Sequence, residues 1–135
     1  MLRVLLISHG RLAEALLETA EGILGAREGV EAVSNHGLSR DGLVEILRER
    51  IAALPEQDAL LLLVDMPGGS THVAARLALA GQPAERAARL VGPLTGMNLP
   101  LLLTLLNRRE STTLAELLPL VLDRGRAAIH VQETK

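Results

Sequence analysis

The sequence predicts an α/β fold: a doubly wound, mostly parallel sheet with helices on both faces. Two observations carry this prediction. Short apolar runs of strand length alternate with segments of helical periodicity along most of the chain, an order typical of strand–helix–strand crossovers. The chain has 135 residues, 48% of them hydrophobic, so we expect residues 1–135 to form a single domain with its own core.

The first half of the chain contains three predicted strands and two helices. The strands cover residues 2–7, 30–34 and 59–64. The first is a short, mostly apolar run and the third a continuous one, as in parallel strands that are buried on both faces. Between the strands, apolar residues recur at helical spacing. The first predicted helix ends at Gly25, because glycine is common at the position directly after a helix. The second helix begins after Ser39 and is stopped by Pro55.

The second half continues the alternation. Its predicted elements are a helix to about residue 80, a strand over 88–91, a helical turn or two over 99–106, a helix over about 113–124 and a strand over 127–132. Gly92 and Pro93 predict a loop over residues 92–96, because both residues commonly interrupt strands. Thr113, with Glu116 three residues later, forms a capping box, and Gly125 is expected to close that helix.

The composition excludes several classes of function. The chain has no Phe, Tyr or Trp, which rules out aromatic stacking platforms for single-stranded nucleic acid and aromatic cages for cations. A net charge of −2 provides no electrostatic footprint for nucleic acid, so we expect no nucleic-acid partner. Cysteine is absent, which excludes thiol catalysis and cysteine zinc sites.

Membrane insertion is not expected. The longest apolar run, residues 59–64, is far shorter than the roughly 20 residues of a membrane helix. The apolar N-terminal stretch is broken at residues 8–11, too early for a signal peptide. We therefore expect a soluble, cytoplasmic protein.

The candidate site follows from where the strands end, because ligands of a doubly wound sheet bind beyond the carboxyl ends of its strands. The first strand leads to His9 there, and the third leads to Asp65. A carboxylate that accepts the Nδ1–H of the imidazole would fix its tautomer and expose the Nε2 lone pair. That nitrogen can take a phosphoryl group, bind a metal ion or act as a base, so three chemistries remain open.

Gly68, Gly69 and Ser70 form the second signal. Two glycines at the start of a helix allow close approach of an anion to backbone N–H groups and to a serine hydroxyl. Alone, these residues would indicate only a tight turn with Ser70 as N-cap. Beside His9 and Asp65 they favour a phosphate site, to which we add Gly10 at the start of the first helix.

Three further residues are candidates for the rim of the site: Met66, His72 and Asn98. His72 is also compatible with an exposed histidine that has no role, and Asn98 with a helix cap. The charged residues 108–110 are expected at a solvated helix end.

Together, the Ser-His-Gly of residues 8–10, Asp65 with the Gly-Gly-Ser of residues 68–70, and the Met-Asn-Leu-Pro of residues 97–100 resemble a known family. It is the enzyme IIA domain of the mannose family, in the bacterial phosphoenolpyruvate-dependent sugar phosphotransferase system, and the resemblance spans essentially the whole chain. It implies that His9 is phosphorylated, that Asp65 orients it and that Ser70 contacts the phosphate. The chain departs from the family where Pro and, two residues later, Asn usually follow: here Thr71, His72 and Val73 stand.

The resemblance also implies partners. As a phosphocarrier of the transferase class, the protein would accept a phosphoryl group from HPr and pass it to an enzyme IIB domain, with no metal or organic cofactor. A homodimer is implied in which the final strand, residues 127–132, lies antiparallel in the partner's sheet. Transport and regulatory roles both stay open.

A different class of function remains an alternative. It is a small metal-chelating or tetrapyrrole-handling protein with His9 as a ligand, which needs a second histidine such as His72 or His130. A histidine phosphatase is disfavoured, because Ser8 stands where that class has arginine.

Overall fold

A computed structural model describes residues 1–134 of the chain. The elements in chain order are β1 (Leu2–Ser8), α1 (Leu12–Leu24), β2 (Val30–Ser34), α2 (Arg40–Ala52), β3 (Ala59–Val64), α3 (Ser70–Leu79), α4 (Ala84–Ala87), β4 (Leu90–Thr95), α5 (Leu99–Arg108) and α6 (Leu114–Ala127). The four strands found in this range pair in parallel in the order β2-β1-β3-β4. The predicted α/β class with a parallel sheet is confirmed.

Two separate apolar cores cover the two faces of the sheet. Val4 and Leu6 of β1 pack among residues of α1, α5 and α6, whereas Leu5 and Ile7 pack among residues of α2 and α3. All four side chains are buried. Successive side chains of a strand point to opposite faces, and here both faces are covered, so β3 is apolar throughout and β1 is apolar from Val4 to Ile7.

The strand order creates a crevice at the carboxyl ends of β1 and β3. These two strands are neighbours, but the chain continues from β1 to β2 on one side and from β3 to β4 on the other. The register pairs Ile7 with Val64, so that Ser8 and Asp65 leave the sheet next to each other. This is the switch point at which doubly wound sheets bind ligands.

The predicted end of the fourth strand is wrong. β4 begins at Leu90 and continues through Gly92 and Pro93 to Thr95, where the sequence predicted a loop. The strand lies at the sheet edge, and its ladder with β3 has an irregularity between Leu61 and Leu63 that accommodates these two residues. Edge strands tolerate proline because one side of their backbone needs no partner strand. The short helix α4, which precedes β4, was not predicted.

Gly125 does not end the last helix, as predicted, but lies inside it. α6 extends to Ala127, and a Cβ on Gly125 would approach Leu101 Cδ1 of α5 to 2.9 Å. The glycine therefore permits close packing of two helices and is not a C-terminal signal.

The predicted final strand, residues 127–132, is also wrong for the single chain. Ala127 belongs to α6, and residues 129–134 have no regular secondary structure. Ile129 and Val131 are 79% and 95% exposed. Within the described chain, no strand pairs with these residues.

The expectation of a solvated helix end at residues 108–110 is wrong for Arg109. Its side chain is buried, and its guanidinium donates hydrogen bonds to the backbone carbonyls of Leu2 and Glu28. These bonds satisfy backbone acceptors at the start of β1 and just before β2.

None of the helices formed by residues 1–134 combines the length and apolar character needed to cross a bilayer.

Candidate functional site

His9 lies directly after β1, at the start of the crevice. Ser8, the last residue of the strand, is fully buried, and its hydroxyl accepts a hydrogen bond from the Ala13 amide at 2.7 Å. This contact ties the first turn of α1 to the strand end. Gly10 has φ +53°, a left-handed conformation that favours glycine, and its amide donates to Asn35 Oδ1 after β2 at 3.1 Å. The backbone on both sides of His9 is therefore held in place.

Asp65 receives two hydrogen bonds from His9 through one carboxylate oxygen. The ring Nδ1 lies 2.7 Å from Oδ2, and the His9 backbone amide donates to the same oxygen at 2.9 Å. The backbone of the two strand ends is also joined, because the Asp65 amide donates to the Ile7 carbonyl. Both the ring and the main chain of His9 are thus positioned against this carboxylate.

The other carboxylate oxygen of Asp65 is equally occupied. Oδ1 accepts from the Met66 amide at 3.1 Å and from the hydroxyl of Thr71 at 2.7 Å. Burial by itself would raise the pKa of Asp65, but the hydrogen bonds from the His9 amide, the Thr71 hydroxyl and the His9 ring outweigh it and hold the pKa below its ordinary value. The carboxylate is ionised at neutral pH.

The ionised partner determines which tautomer of His9 is favoured. A carboxylate only accepts hydrogen bonds, so Nδ1 is the donor in this contact, and the corresponding neutral tautomer has its free lone pair on Nε2. Nε2 lies 3.2 Å from the hydroxyl of Ser70, which can donate to it. The His9 side chain is 43% exposed, compared with 7% for Asp65. The result is an accessible nitrogen nucleophile above a buried, oriented carboxylate.

The Gly-Gly-Ser turn lies against the imidazole. Gly68 has φ +79°, and Gly69 is the N-cap residue of α3, so that Ser70 is the first helical residue and not the N-cap. A Cβ on Gly69 would come within 3.1 Å of His9 Cε1. The missing side chain lets the turn approach the ring, and the first amides of α3 have no acceptors within the helix.

The three candidate rim residues have different surroundings. Met66 is half-exposed beside Asp65, and His72 accepts a hydrogen bond from the Gly68 amide on its Nδ1 at 2.8 Å. Asn98 caps α5 by accepting from the Leu101 amide, and its own amide donates to the Gly125 carbonyl. The structure therefore places His72 on the turn and gives Asn98 the capping contact that the sequence left open.

Two polar residues of the site were missed by sequence reasoning. Asn35 follows β2, the strand to which we assigned no site residue. Thr71 was noted only as a departure from a family pattern. A signal for Thr71 existed, because the buried positions of α3 are Thr71, Ala74, Ala75 and Ala78, and this spacing marks one helical face. A hydroxyl on a buried face needs a partner, and that partner is Asp65.

Metal binding was the open alternative for His9. Among residues 1–134, no three or more His, Cys, Asp or Glu side chains are grouped so that they could hold a metal ion.

The family model and the curated relatives that this chain matches all describe components of the phosphotransferase system. A family model described as "PTS system fructose IIA component" matches residues 3–122. The mannose-specific EIIAB component of Escherichia coli K12 is 32% identical over 131 residues, which cover 95% of this chain and 38% of that protein. The fructose-specific EIIA component of Bacillus subtilis is 33% identical over 120 residues, covering 87% of this chain and 77% of that protein. The chain thus spans little more than a third of the mannose-specific relatives.

Solved structures with similar folds include the phosphotransferase component EIIA of Streptococcus agalactiae. It has a TM-score of 0.84 and 21% identity, with 97% of each chain covered. The mannose/sorbose-specific IIA subunit of Enterococcus faecalis has a TM-score of 0.75 and 20% identity, covering 98% of this chain and 96% of that one. At these identities the similarity shows the shared fold.

Proposed function

The chain belongs to the IIA family of the sugar phosphotransferase system, and on that premise we propose that it carries a phosphoryl group on Nε2 of His9. Components of this family are phosphoryl carriers of the transferase class. The observation that carries the proposal is the 2.7 Å contact between His9 Nδ1 and Asp65 Oδ2, which directs Nδ1 to the carboxylate in a side chain that is 43% exposed and so favours the tautomer with its lone pair on Nε2.

The reaction that fits this geometry is an in-line transfer between two imidazoles. The Nε2 lone pair of His9 attacks the phosphorus of a phosphohistidine on HPr, and the new N–P bond forms as the donor's N–P bond breaks. The donor imidazole keeps the electron pair of the broken bond. The His9 ring gains positive charge during this step, and the Asp65 carboxylate at Nδ1–H stabilises it.

The Gly-Gly-Ser turn is suited to hold the phosphoryl oxygens. The Ser70 hydroxyl is next to Nε2, and Gly69, the N-cap of α3, lies against the ring, so the first amides of α3, which have no acceptor within the helix, are close to His9. A helix N-terminus favours negative charge, and in phosphoryl transfer most of the catalysis comes from positioning and charge stabilisation. Gly10 and Gly68 provide the positive φ that lets these loops turn around the ring.

We propose HPr as the phosphoryl donor and an enzyme IIB domain as the acceptor. We also propose that the protein acts in the cytoplasm. Two exposed apolar side chains are close to the site in sequence, Leu12 at the start of α1 and Met66 directly after Asp65, and both are about half-exposed. Methionine adapts to different surfaces, and this chain must use one nitrogen with two partners in turn.

A homodimer is part of the proposal. The outer edge of β4 is unpaired within the described residues, and beside it lies a groove of about 410 Å³ between β4 and α6. Ile129, which follows the end of α6, lines this groove, and both Ile129 and Val131 are exposed. Sheet edges with unpaired backbone groups need cover, and the residues after α6 of a second copy, which include Ile129 and Val131, would provide it as an antiparallel strand.

The test of the function is phosphoryl transfer in a purified system. Enzyme I, HPr and radiolabelled phosphoenolpyruvate should label the wild-type protein, and the label should be acid-labile, as phosphohistidine is. His9→Ala should remove the label, whereas His36→Ala, which removes another exposed histidine, should keep it. An unlabelled wild type, or a labelled His9→Ala variant, would contradict the proposal. Calorimetry with Co²⁺ or Ni²⁺ addresses the metal-binding alternative, which tight stoichiometric binding abolished by His9→Ala would favour.

A further inference from the structure

We propose that Thr71 is a positioning residue for phosphoryl transfer, because its hydroxyl orients the Asp65 carboxylate that holds His9. The proposal rests on the function proposed above. The Thr71 hydroxyl bonds to Asp65, whereas Nε2 of His9 has its contact with Ser70. Thr71 would act through Asp65 alone.

The contact is short and buried. Thr71 is fully buried, and its Oγ1 lies 2.7 Å from Asp65 Oδ1. Within residues 1–134, the other donor to this oxygen is the Met66 amide, at the longer distance of 3.1 Å. A carboxylate can rotate about its Cβ–Cγ bond, and rotation would move Oδ2 away from the Nδ1 of His9. Donors on Oδ1 oppose that rotation, and Thr71 is the closer of the two.

Packing alone does not explain a threonine here. The other buried positions on the same face of α3 are alanines, Ala74, Ala75 and Ala78, so the space between α3 and the sheet accepts a small apolar side chain. A buried hydroxyl without a partner would be unfavourable, and threonine has a lower helix propensity than alanine. The hydroxyl is therefore accounted for by its bond to Asp65.

The hydroxyl also has an electrostatic effect on the carboxylate. It is among the hydrogen bonds that keep the pKa of Asp65 below its ordinary value despite burial. The carboxylate therefore stays ionised, and an ionised carboxylate that is held in place accepts the Nδ1–H of His9, which favours the tautomer with Nε2 free. Loss of the hydroxyl should weaken both the orientation and the tautomer preference.

The experiment compares Thr71→Val with Thr71→Ser. Valine keeps the shape and removes the hydroxyl, whereas serine keeps the hydroxyl. We expect Thr71→Val to slow phosphoryl transfer from phospho-HPr about tenfold in its maximal rate, with little change in the HPr concentration at half-saturation. Thr71→Ser should stay within about twofold of the wild type on both measures. Thr104→Val, which removes a hydroxyl bonded to the Pro100 carbonyl in α5, is the matched control and should transfer at the wild-type rate.

Two further readouts separate positioning from a purely structural role. Imidazole ¹⁵N NMR should show a lower share of the Nδ1–H tautomer of His9 in Thr71→Val than in the wild type. In an Asp65→Asn background, Thr71→Val should cause no additional slowing, because the two residues act through one contact. Should Thr71→Val not fold, Thr71→Ala replaces it, since it removes the hydroxyl without adding volume.

The failure of this proposal is distinguishable from failure of the proposed function. A wild type that HPr does not phosphorylate contradicts the function. A wild type that is phosphorylated, together with a Thr71→Val variant that keeps its transfer rate and its His9 tautomer, overturns the role of Thr71. Equal slowing by Thr71→Val with and without Asp65 would overturn it as well.

Discussion

The Nδ1 atom of His9 and the Oδ2 atom of Asp65 lie 2.7 Å apart, although the two residues are 56 positions apart in the sequence. The contact exists because β1 and β3 are adjacent parallel strands whose ends are in register. It favours the tautomer with the proton on Nδ1, in which the lone pair of Nε2 is available for chemistry.

Replacing Asp65 by asparagine should damage transfer and leave the fold intact. Each carboxylate oxygen of Asp65 accepts two hydrogen bonds, whereas an asparagine has only one oxygen. One side of the amide must therefore face two donors with its own NH₂ group. We expect transfer from phospho-HPr to slow about a hundredfold, as is typical when one electrostatic group of a transition state is lost. Rapid-quench measurement tests this, with the exposed Asp123→Asn as control, and an unchanged rate in Asp65→Asn would contradict it.

Adding a methyl group at Gly69 should affect His9 through space. The backbone φ of Gly69 is −81°, which any residue adopts, but its Cβ would lie 3.1 Å from His9 Cε1 and 3.4 Å from Met66 Cγ. Gly69→Ala should therefore displace the imidazole and slow transfer several-fold. Gly68→Ala is the contrasting variant. Gly68 has open space around it but φ +79°, so that substitution should cost about 1–2 kcal/mol of stability through backbone strain.

The crystal structure of Gly69→Ala, or its His9 NMR signals, would show the displacement. If the His9 signals of Gly69→Ala coincide with those of the wild type, the crowding argument is wrong.

Alanine should have opposite effects at the two helical glycines. Gly22 in α1 has open space where a Cβ would lie, so Gly22→Ala should stabilise the protein by about 0.5–1 kcal/mol through helix propensity. At Gly125 the same methyl group would approach Leu101 Cδ1 to 2.9 Å and Cβ to 3.2 Å. Overpacking of a core commonly costs about 1–3 kcal/mol, which exceeds the gain in propensity.

Urea titrations of the two glycine variants measure this difference directly. Gly125→Ala should unfold at a lower urea concentration than the wild type and Gly22→Ala at a higher one. Stabilisation by both variants would show that α5 and α6 adjust without cost.

The Asp58 carboxylate should make the free energy of unfolding depend in part on pH, with less stability in acid. Arg3 Nε, at 2.7 Å, and the Met1 amine, at 2.9 Å, both bond to it. The bond from Arg3 contributes most, followed by that from the amine, and together they hold the pKa of Asp58 below its ordinary 3.8 against the opposing effect of burial. A carboxyl group whose pKa is lower in the folded state stabilises the fold fully above the unfolded-state pKa. That stabilisation is lost as the pH falls through the lower, folded-state value.

Asp58→Asn should therefore unfold more easily than the wild type at pH 7, and the difference should shrink below pH 4. Free energies of unfolding measured from pH 7 to pH 2 test this dependence. The control is again Asp123→Asn, and a difference that stays constant with pH would argue against the ion pairs as its source.

The proposed dimer should depend on the exposed residues after α6. Val131→Asp places a charge on a side chain that is 95% exposed in the single chain, so it should not alter the monomer's fold. Sedimentation or light scattering should give twice the 14.4 kDa chain mass for the wild type and a monomer for the variant. Ile23→Asp, at an exposed apolar position on α1, is the matched control and should remain dimeric. A monomeric wild type at micromolar concentrations would remove this part of the proposal.

Much of the fold was predictable because burial on both faces of a parallel sheet leaves a direct trace in the sequence. The strands over residues 30–34 and 59–64 were predicted with the bounds that the structure has, and the N-caps Ser39 and Thr113 make the expected hydrogen bonds. The site could be approached in the same way. In this topology polar residues that directly follow buried strands must meet at one edge, and His9, Asp65 and Ser70 do so.

The sequence by itself thus determined the α/β class and the residues that follow each central strand, because these depend on local apolar patterning and on the direction of parallel strands. Only the tertiary structure decided how single residues are used, because that depends on partners far away in the chain. Glycine commonly marks the end of a helix or strand, and Gly125 and Gly92 were interpreted in that way. In the structure Gly125 lies against Leu101 where two helices pack closely, and Gly92 lies within an edge strand. Thr71 is an ordinary helical residue in sequence and becomes part of the site only because α3 begins beside the Asp65 carboxylate.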